Sequence, residues 1–307
     1  MNGVENNCNG ECHEIYPTED GHIKQRVGDE RILESNGQFC GAFYHVHEWG
    51  TREHYCLDET NCIIGQRATN ENNWRVQAKT VVAVVKFEDE NEEILYEARY
   101  TNCGEEQKHA EEFFKEDIEN ENGVLAQIVE DNPNGIITLY LTLQPCNQST
   151  SILGTANTPA CCETLTTIVN DILPPEITLC VKAANTCRLS LIPENDPDDE
   201  TLRQNAVAGI KMLMEIEHVA VIWMEKDDWH YLFSLTNELE NREDLEVHEG
   251  RLDLDKCVQD ILAQIQDEIN QDETGQNEND QDGIDQNGMD QNGMDQDEMD
   301  QDEIYQA

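Results

Sequence analysis

The sequence predicts an α/β protein: a mixed five-stranded sheet with helices on both faces and its last two strands parallel. Three observations point there. Lys79 to Phe87 (KTVVAVVKF) is rich in β-branched residues, and Ile94 to Asn102 follows it across a polar turn as a hairpin partner. Two further strand-like runs, Gly135 to Gln144 (GIITLYLTLQ) and Ile177 to Ala184, alternate with helical patterns. The fourth and fifth strands, Ile177 to Ala184 and Val219 to Met224, are separated by a helix of about four turns, long enough for a crossover and hence for a parallel pair.

The helices follow from apolar spacing. From His109, residues Ala110, Phe113, Phe114 and Ile118 share a face at i, i+3, i+4 and i+8. Cys161 to Leu173 carries Cys161, Leu165, Ile168 and Val169 on one side, and Glu200 to Ile216 carries Leu202, Ala206, Ile210 and Leu213. Asp227 to Leu235 reads as a short helix. Leu254 to Ile269 closes the series, with Val258, Ile261, Leu262 and Ile265 in one stripe. Layers of helix on both faces of a mixed sheet bury all of these apolar sides.

The chain has 307 residues and a formal charge of −47, from 66 acidic and 19 basic side chains. Three regions separate by composition: a Cys/His-rich and partly helical segment 1–75, the α/β domain 76–270, and an acidic tail 271–307. From Asp267 to Ala307 there are 15 Asp/Glu and no Lys or Arg. Pentapeptides of the form Asp-Gln-Asp/Asn-Gly/Glu-Ile/Met begin at Asp280, Asp285, Asp290, Asp295 and Asp300. One apolar residue in five supports neither a helical stripe nor a strand face, so the tail is expected to be disordered. The rest of the chain still carries a net −32.

No apolar run reaches the ~18–20 residues of a membrane span. Met1-Asn2-Gly3-Val4-Glu5 lacks the basic and apolar regions of a signal peptide, which implies a cytoplasmic or nuclear protein. In that setting the 12 cysteines are expected to be reduced and available for metal or catalysis. The acidity argues against generic nucleic-acid affinity, because phosphate contacts need Lys and Arg.

The chemistry lies in the α/β domain. Of the nine histidines, His109 alone stands in an His-x-Glu arrangement, His109-Ala110-Glu111, where the first helix opens. The single Pro-Cys pair, Pro145-Cys146, ends the third strand, and a cysteine, Cys161 or Cys162, opens the second helix. Helix phase favours Cys161, since apolar residues then fall at +4, +7 and +8. Two thiolates and one imidazole give Zn²⁺ three protein ligands and leave a tetrahedral position for water. A helix N-terminus favours the thiolate. Glu111 is placed to move protons without taking a metal position.

These residues in this order match the zinc deaminase signature H-x-E…P-C-x-x-C, except in the gap between the cysteines. Here fourteen residues, Asn147 to Ala160, replace the usual two to four. Closing the longer loop costs about 1.7 kcal/mol. A structural zinc site supplies roughly 10–16 kcal/mol, so the insertion is affordable.

The stretch from Gln77 to Ile269 resembles the AID/APOBEC-like cytidine deaminases, in a divergent animal branch with a long gap before the second zinc cysteine. The resemblance rests on His109-Ala110-Glu111-Glu112-Phe113-Phe114, on Leu139-Tyr140-Leu141-Thr142-Leu143-Gln144-Pro145-Cys146, and on Ala220-Val221-Ile222-Trp223-Met224 followed by Trp229-His230-Tyr231. It implies the cytidine-deaminase-like fold, zinc on His109, Cys146 and Cys161, Glu111 as proton shuttle, and deamination of cytosine to uracil in single-stranded DNA or RNA, in an antiviral or immune role. Thr142-Leu143-Gln144 stands where the family commonly has Ser-Trp-Ser. Cys187 to Pro193 lacks the family's aromatic residue, which implies weaker base stacking.

Arg75, Lys108 and Arg188 are the expected substrate-binding cations, part of a basic rim with Arg67, Lys79 and Arg203. In the first 75 residues Cys8, Cys12, Cys56 and Cys62, or Cys40 with His45, offer ligands for a second zinc, and Phe39 to Trp49 is expected to supply a helix packed on the sheet. Two other functions remain open on these residues. One is deamination of a free nucleoside or nucleotide, which suits the acidic surface. The other is a non-catalytic zinc-containing module that engages basic proteins through its acidic surface and tail.

Overall fold

The computed structural model describes residues 22–26, 31–33, 39, 43–44, 46–48, 53–55, 82–103, 106–148, 160–186, 189, 197–236, 247 and 249–281. Its main sheet has six strands in the order β1-β5-β4-β6-β7-β8. They are β1 (Ile23–Gln25), β4 (Val82–Glu88), β5 (Ile94–Thr101), β6 (Ile136–Leu141), β7 (Thr178–Ala183) and β8 (Val219–Ile222). The pairs β1–β5, β5–β4 and β4–β6 are antiparallel, whereas β6–β7 and β7–β8 are parallel. A separate two-stranded ladder pairs β2 (Val46–Glu48) with β3 (Glu53–Tyr55).

The mixed sheet and its parallel end agree with the sequence reading, but the strand count is six rather than five. The added strand is β1, which lies along the edge of β5 with Lys24 opposite Arg99. Three residues are too few to display a period of two, so the sequence carries no strand signal there.

Strand alternation divides the core between two faces. Val82, Val84 and Tyr140 point to one side, where they pack with Phe39, Phe43, Tyr44, Trp229 and Leu232. Ala83, Val85, Phe87, Leu139 and Leu141 point to the other, against Phe113, Phe114, Leu125, Leu165 and Leu213. The latter group comes from α1 (Ala110–Glu119), α2 (Val124–Asp131), α3 (Cys161–Thr167, continuing as a π-helical turn over Ile168–Ile172) and α4 (Pro197–Met214). The first face is covered by α5 (Lys226–Ser234) and the start of α6 (Glu249–Gln281). Each fully buried Phe or Leu contributes about 1.5–3 kcal/mol.

Two elements depart from the spacing argument. Helix α2 has no counterpart in the sequence reading, although Leu125 and Val129 are buried and Ile128 packs against the same core. In the predicted Phe39-to-Trp49 helix, Phe39, Phe43 and Tyr44 have helical backbone and are buried on the sheet, while Val46–Glu48 is a strand.

The chain divides into two compact units, Met1–Asp267 and Glu268–Ala307. The described part of the second unit, residues 268–281, is helical, and residues 282–307 of the acidic repeat lie outside the described residues. No described helix is long and apolar enough to cross a membrane.

Candidate metal centre

Helix α1 is locked to the sheet through a buried carboxylate. Asp117 accepts hydrogen bonds from the hydroxyls of Tyr96 and Tyr100, the latter at 2.6 Å, and from Gln25 Nε2 at 3.3 Å. Burial and the Asp117 charge push both tyrosines far up, so they remain donors. The N-terminus of α1 is fixed at the other end. Asn102 Oδ1 accepts the Ala110 N–H at 2.7 Å, and Glu112 reaches back to the His109 N–H at 2.7 Å. These contacts set His109 at the N-cap position with Glu111 two residues on, in the first turn of the same helix.

The second element is the turn after β6. The Cys162 N–H donates to the Cys146 carbonyl at 3.0 Å, and the Cys161 N–H points at Cys146 Sγ at 3.5 Å. Cys146 therefore sits at the N-terminal end of α3, where exposed amide hydrogens favour a thiolate. Asn147 extends the turn onto α4 by donating to the Asn205 carbonyl at 3.0 Å. A Cβ on Gly209 of α4 would lie 2.4 Å from Asn147 Cβ and 2.7 Å from Cys162 Sγ. Only glycine lets α4 approach the turn so closely.

The structure brings His109, Cys146 and Cys161 together. Their donor atoms lie within 4.8 Å of one another. His109 Nδ1 is 3.0 Å from Cys161 Sγ and 3.7 Å from Cys146 Sγ. Cys162, the neighbour in sequence, turns the other way: its Sγ lies 3.7 Å from the Pro145 carbonyl and packs in the main core.

Glu111 is 2% exposed, and its Oε2 is buried without a hydrogen-bond partner. A carboxylate oxygen left in that state is costly unless something outside the protein meets it. Two thiols and an imidazole beside such an oxygen fit a divalent ion of the zinc class, with a polar ligand on the open side.

The electrostatics agree with that donor set. Cys146 is held well below the usual thiol range, first by the Cys161 hydrogen bond and then by His109, against the opposing effect of burial. Cys161 is pushed up by burial and by the neighbouring Cys146. Burial works to lower His109, but its hydrogen bond to Cys146 and the nearby negative charges raise it overall. Burial also raises Glu111.

No protein-family profile and no curated protein matches this chain.

The expected substrate cations are distributed differently. Arg75 and Arg188 lie outside the described residues, as do Arg67 and Lys79. Lys108 is described, and its ammonium is held by Glu116 at 2.6 Å and Glu106 at 3.1 Å, over the Phe113 ring. Cys8, Cys12, Cys40, His45, Cys56 and Cys62, expected as ligands of a second zinc, also fall outside the described residues. All six described cysteines are free thiols.

Spacing alone did not single out Asn102, Asn147 or Gly209. Asn102 offered no signal, because it caps Ala110 from well outside the N-cap position. Gly209 offered none, because its role depends on a turn far away in sequence.

Proposed function

We propose that this protein is a zinc-dependent cytidine deaminase that converts cytosine to uracil in single-stranded DNA or RNA. The observation that supports this reading best is the buried convergence of His109, Cys146 and Cys161 beside the unpartnered carboxylate oxygen of Glu111. The parallel β7–β8 pair adds to it, since the polynucleotide-acting branch of the deaminases that the sequence resembles has its last strands parallel.

When bound by His109, Cys146 and Cys161, Zn²⁺ supplies Lewis-acid activation of a water molecule at neutral pH. Glu111 carries the protons. It takes one from the water as the water oxygen bonds to C4 and delivers it to ring N3. It then takes the proton of the new C4 hydroxyl and gives it to the exocyclic amine, which leaves as ammonia as the C4–N bond breaks. Water and cytosine are thus balanced by uracil and ammonia. The packing of α1, the Pro145 turn and α3 keeps the Glu111 carboxylate out of bulk water, so its proton goes to the substrate.

A second reading is deamination of a free nucleoside or nucleotide. It is favoured by Lys108, whose charge is already neutralised by Glu106 and Glu116. Uracil release from cytosine-containing single strands and from free cytidine separates the two. In either assay Glu111→Gln, compared at equal metal content, should be slower by at least about 100-fold. Equal rates for the two proteins would refute the mechanism. No product from any substrate would favour the binding module.

A further inference from the structure

A second group of metal-type donors lies at the connection that leads into α1. His22 Nε2 is 3.8 Å from Glu106 Oε1, and the three donor atoms of His22, Cys103 and Glu106 lie within 4.8 Å of one another. They share no residue with the His109 centre.

Each donor is held in place independently. The His22 ring stacks on Phe113 of α1 with centroids 4.7 Å apart and planes 11° from parallel, and its carbonyl accepts the Thr101 N–H at 3.0 Å. Cys103 and Lys108 exchange backbone hydrogen bonds of 2.9 and 3.1 Å, closing a tight loop. Within that loop the Glu106 N–H points at Cys103 Sγ at 3.4 Å. Lys108 holds Glu106 Oε2 at 3.1 Å, which leaves Oε1 turned toward His22.

The donor spacing suits one ion. Zinc bonds of about 2.0–2.3 Å in tetrahedral geometry place neighbouring donors roughly 3.3–3.8 Å apart. The 3.8 Å between His22 Nε2 and Glu106 Oε1 lies at the upper limit of that range, which a small shift of the exposed Glu106 side chain closes. His22 and Cys103 are buried at 1% and 0%, while Glu106 is 41% exposed on its side chain, so an ion enters from the Glu106 side. One imidazole, one thiol and one carboxylate form a mixed set that selects a borderline ion such as Zn²⁺ over Ca²⁺ or Mg²⁺.

We propose that His22, Cys103 and Glu106 bind a second zinc-class cation. It ties the segment preceding β1 to the loop that presents His109, and so holds the start of α1 from outside the first centre. The site is structural: its ligands come from the residue preceding an edge strand and from a loop, and do not include Glu111.

Metal content of the purified full-length chain tests the assignment. Wild type should hold at least two equivalents of zinc. Cys103→Ser should lose one equivalent and His109→Ala a different one, with the losses adding in the double variant. Because Cys103 is buried, Glu106→Gln serves as the variant that leaves packing intact. It should weaken binding of one Zn²⁺ by at least about 10-fold in a chelator competition. With Co²⁺ in place of zinc, Cys103→Ser should remove part of the thiolate charge-transfer absorption and leave the part that His109→Ala perturbs. A wild-type chain holding a single equivalent that His109→Ala abolishes would overturn the second site. So would unchanged zinc affinity in both Cys103→Ser and Glu106→Gln. Neither result bears on deamination, which depends on the first centre.

Discussion

His109 Nδ1 lies 3.0 Å from Cys161 Sγ, while the adjacent Cys162 Sγ faces the Pro145 carbonyl at 3.7 Å. One residue of helix phase thus separates a candidate metal donor from a core side chain. Cys161→Ser should lose a metal equivalent and leave the remaining fold largely intact. Cys162→Ser should keep its metal and lose stability, because a hydroxyl is placed in the apolar cluster around Leu165. The cost should be about 1–3 kcal/mol. Metal analysis and urea unfolding of the two variants give opposite patterns; metal loss from Cys162→Ser alone would reverse the assignment.

The apolar spacing along α3 does not explain that split: Leu165, Ile168 and Val169 share the main core with Cys162, whereas Cys161 packs with Cys146 and Ala160. His109 and Cys146 were legible from sequence, because their positions follow from the start of α1 and the turn after β6. What the sequence did not reveal is held by contacts between distant segments. Strand β1 exists because β5 offers an edge, not because Ile23–Gln25 has a pattern of its own. Helix α2 carries Leu125, Ile128 and Val129 at i, i+3 and i+4, but its 8 residues show that spacing only once. His22 joins Cys103 and Glu106 only after β1 has docked, and no spacing motif connects residues brought together in that way.

Gly209 fixes the distance between α4 and the Cys146 turn. In Gly209→Ala the new methyl would meet Asn147 Cβ at 2.4 Å and Cys162 Sγ at 2.7 Å. Overpacking of that kind costs about 1–3 kcal/mol, and the better helix propensity of alanine returns at most about 1 kcal/mol. Net destabilisation is expected, together with weaker zinc binding at the first centre, since the displaced turn carries Cys146. A variant as stable as wild type, with unchanged metal affinity, would show that the turn yields freely.

Helix α5 is anchored to β7 by Lys182, whose Nζ lies 2.8 and 2.7 Å from the two Asp228 oxygens. Asp228 also accepts the Tyr140 hydroxyl at 3.1 Å and caps its own helix through the Glu225 N–H at 2.7 Å. Lys182→Met leaves the carboxylate buried without its cation and should cost about 3–5 kcal/mol. Adding Asp228→Asn should recover part of that loss, because the uncompensated charge disappears while a side-chain acceptor remains for Tyr140. A double-mutant cycle by chemical denaturation measures the coupling. Strict additivity would mean that the pair contributes nothing.

Arg251 makes the stability of α6 depend on pH. Its guanidinium is fully buried, donates to Asp255 at 2.8 Å and to the Ala184 carbonyl at 2.6 Å, and lies 4.8 Å from the Trp229 ring. Asp255 also accepts the Trp229 indole N–H at 2.8 Å. Burial raises the Asp255 carboxyl above its ordinary value, and Arg251 is the main influence opposing that rise. Arg251→Met removes the opposition, so the folded-state pKa should climb further above that of the unfolded chain. A group shifted in this direction binds its proton more tightly when folded. Its unfavourable contribution is therefore full above the folded pKa, shrinks as pH falls through that value, and vanishes below the unfolded pKa. The variant should lose about 3–5 kcal/mol at neutral pH and regain part of it in acid. Urea unfolding of both proteins at pH 7 and pH 5 reads the difference. A stability gap that stays constant between the two pH values would place the cost of losing Arg251 in its contacts with Ala184 and Trp229 rather than in the charge on Asp255.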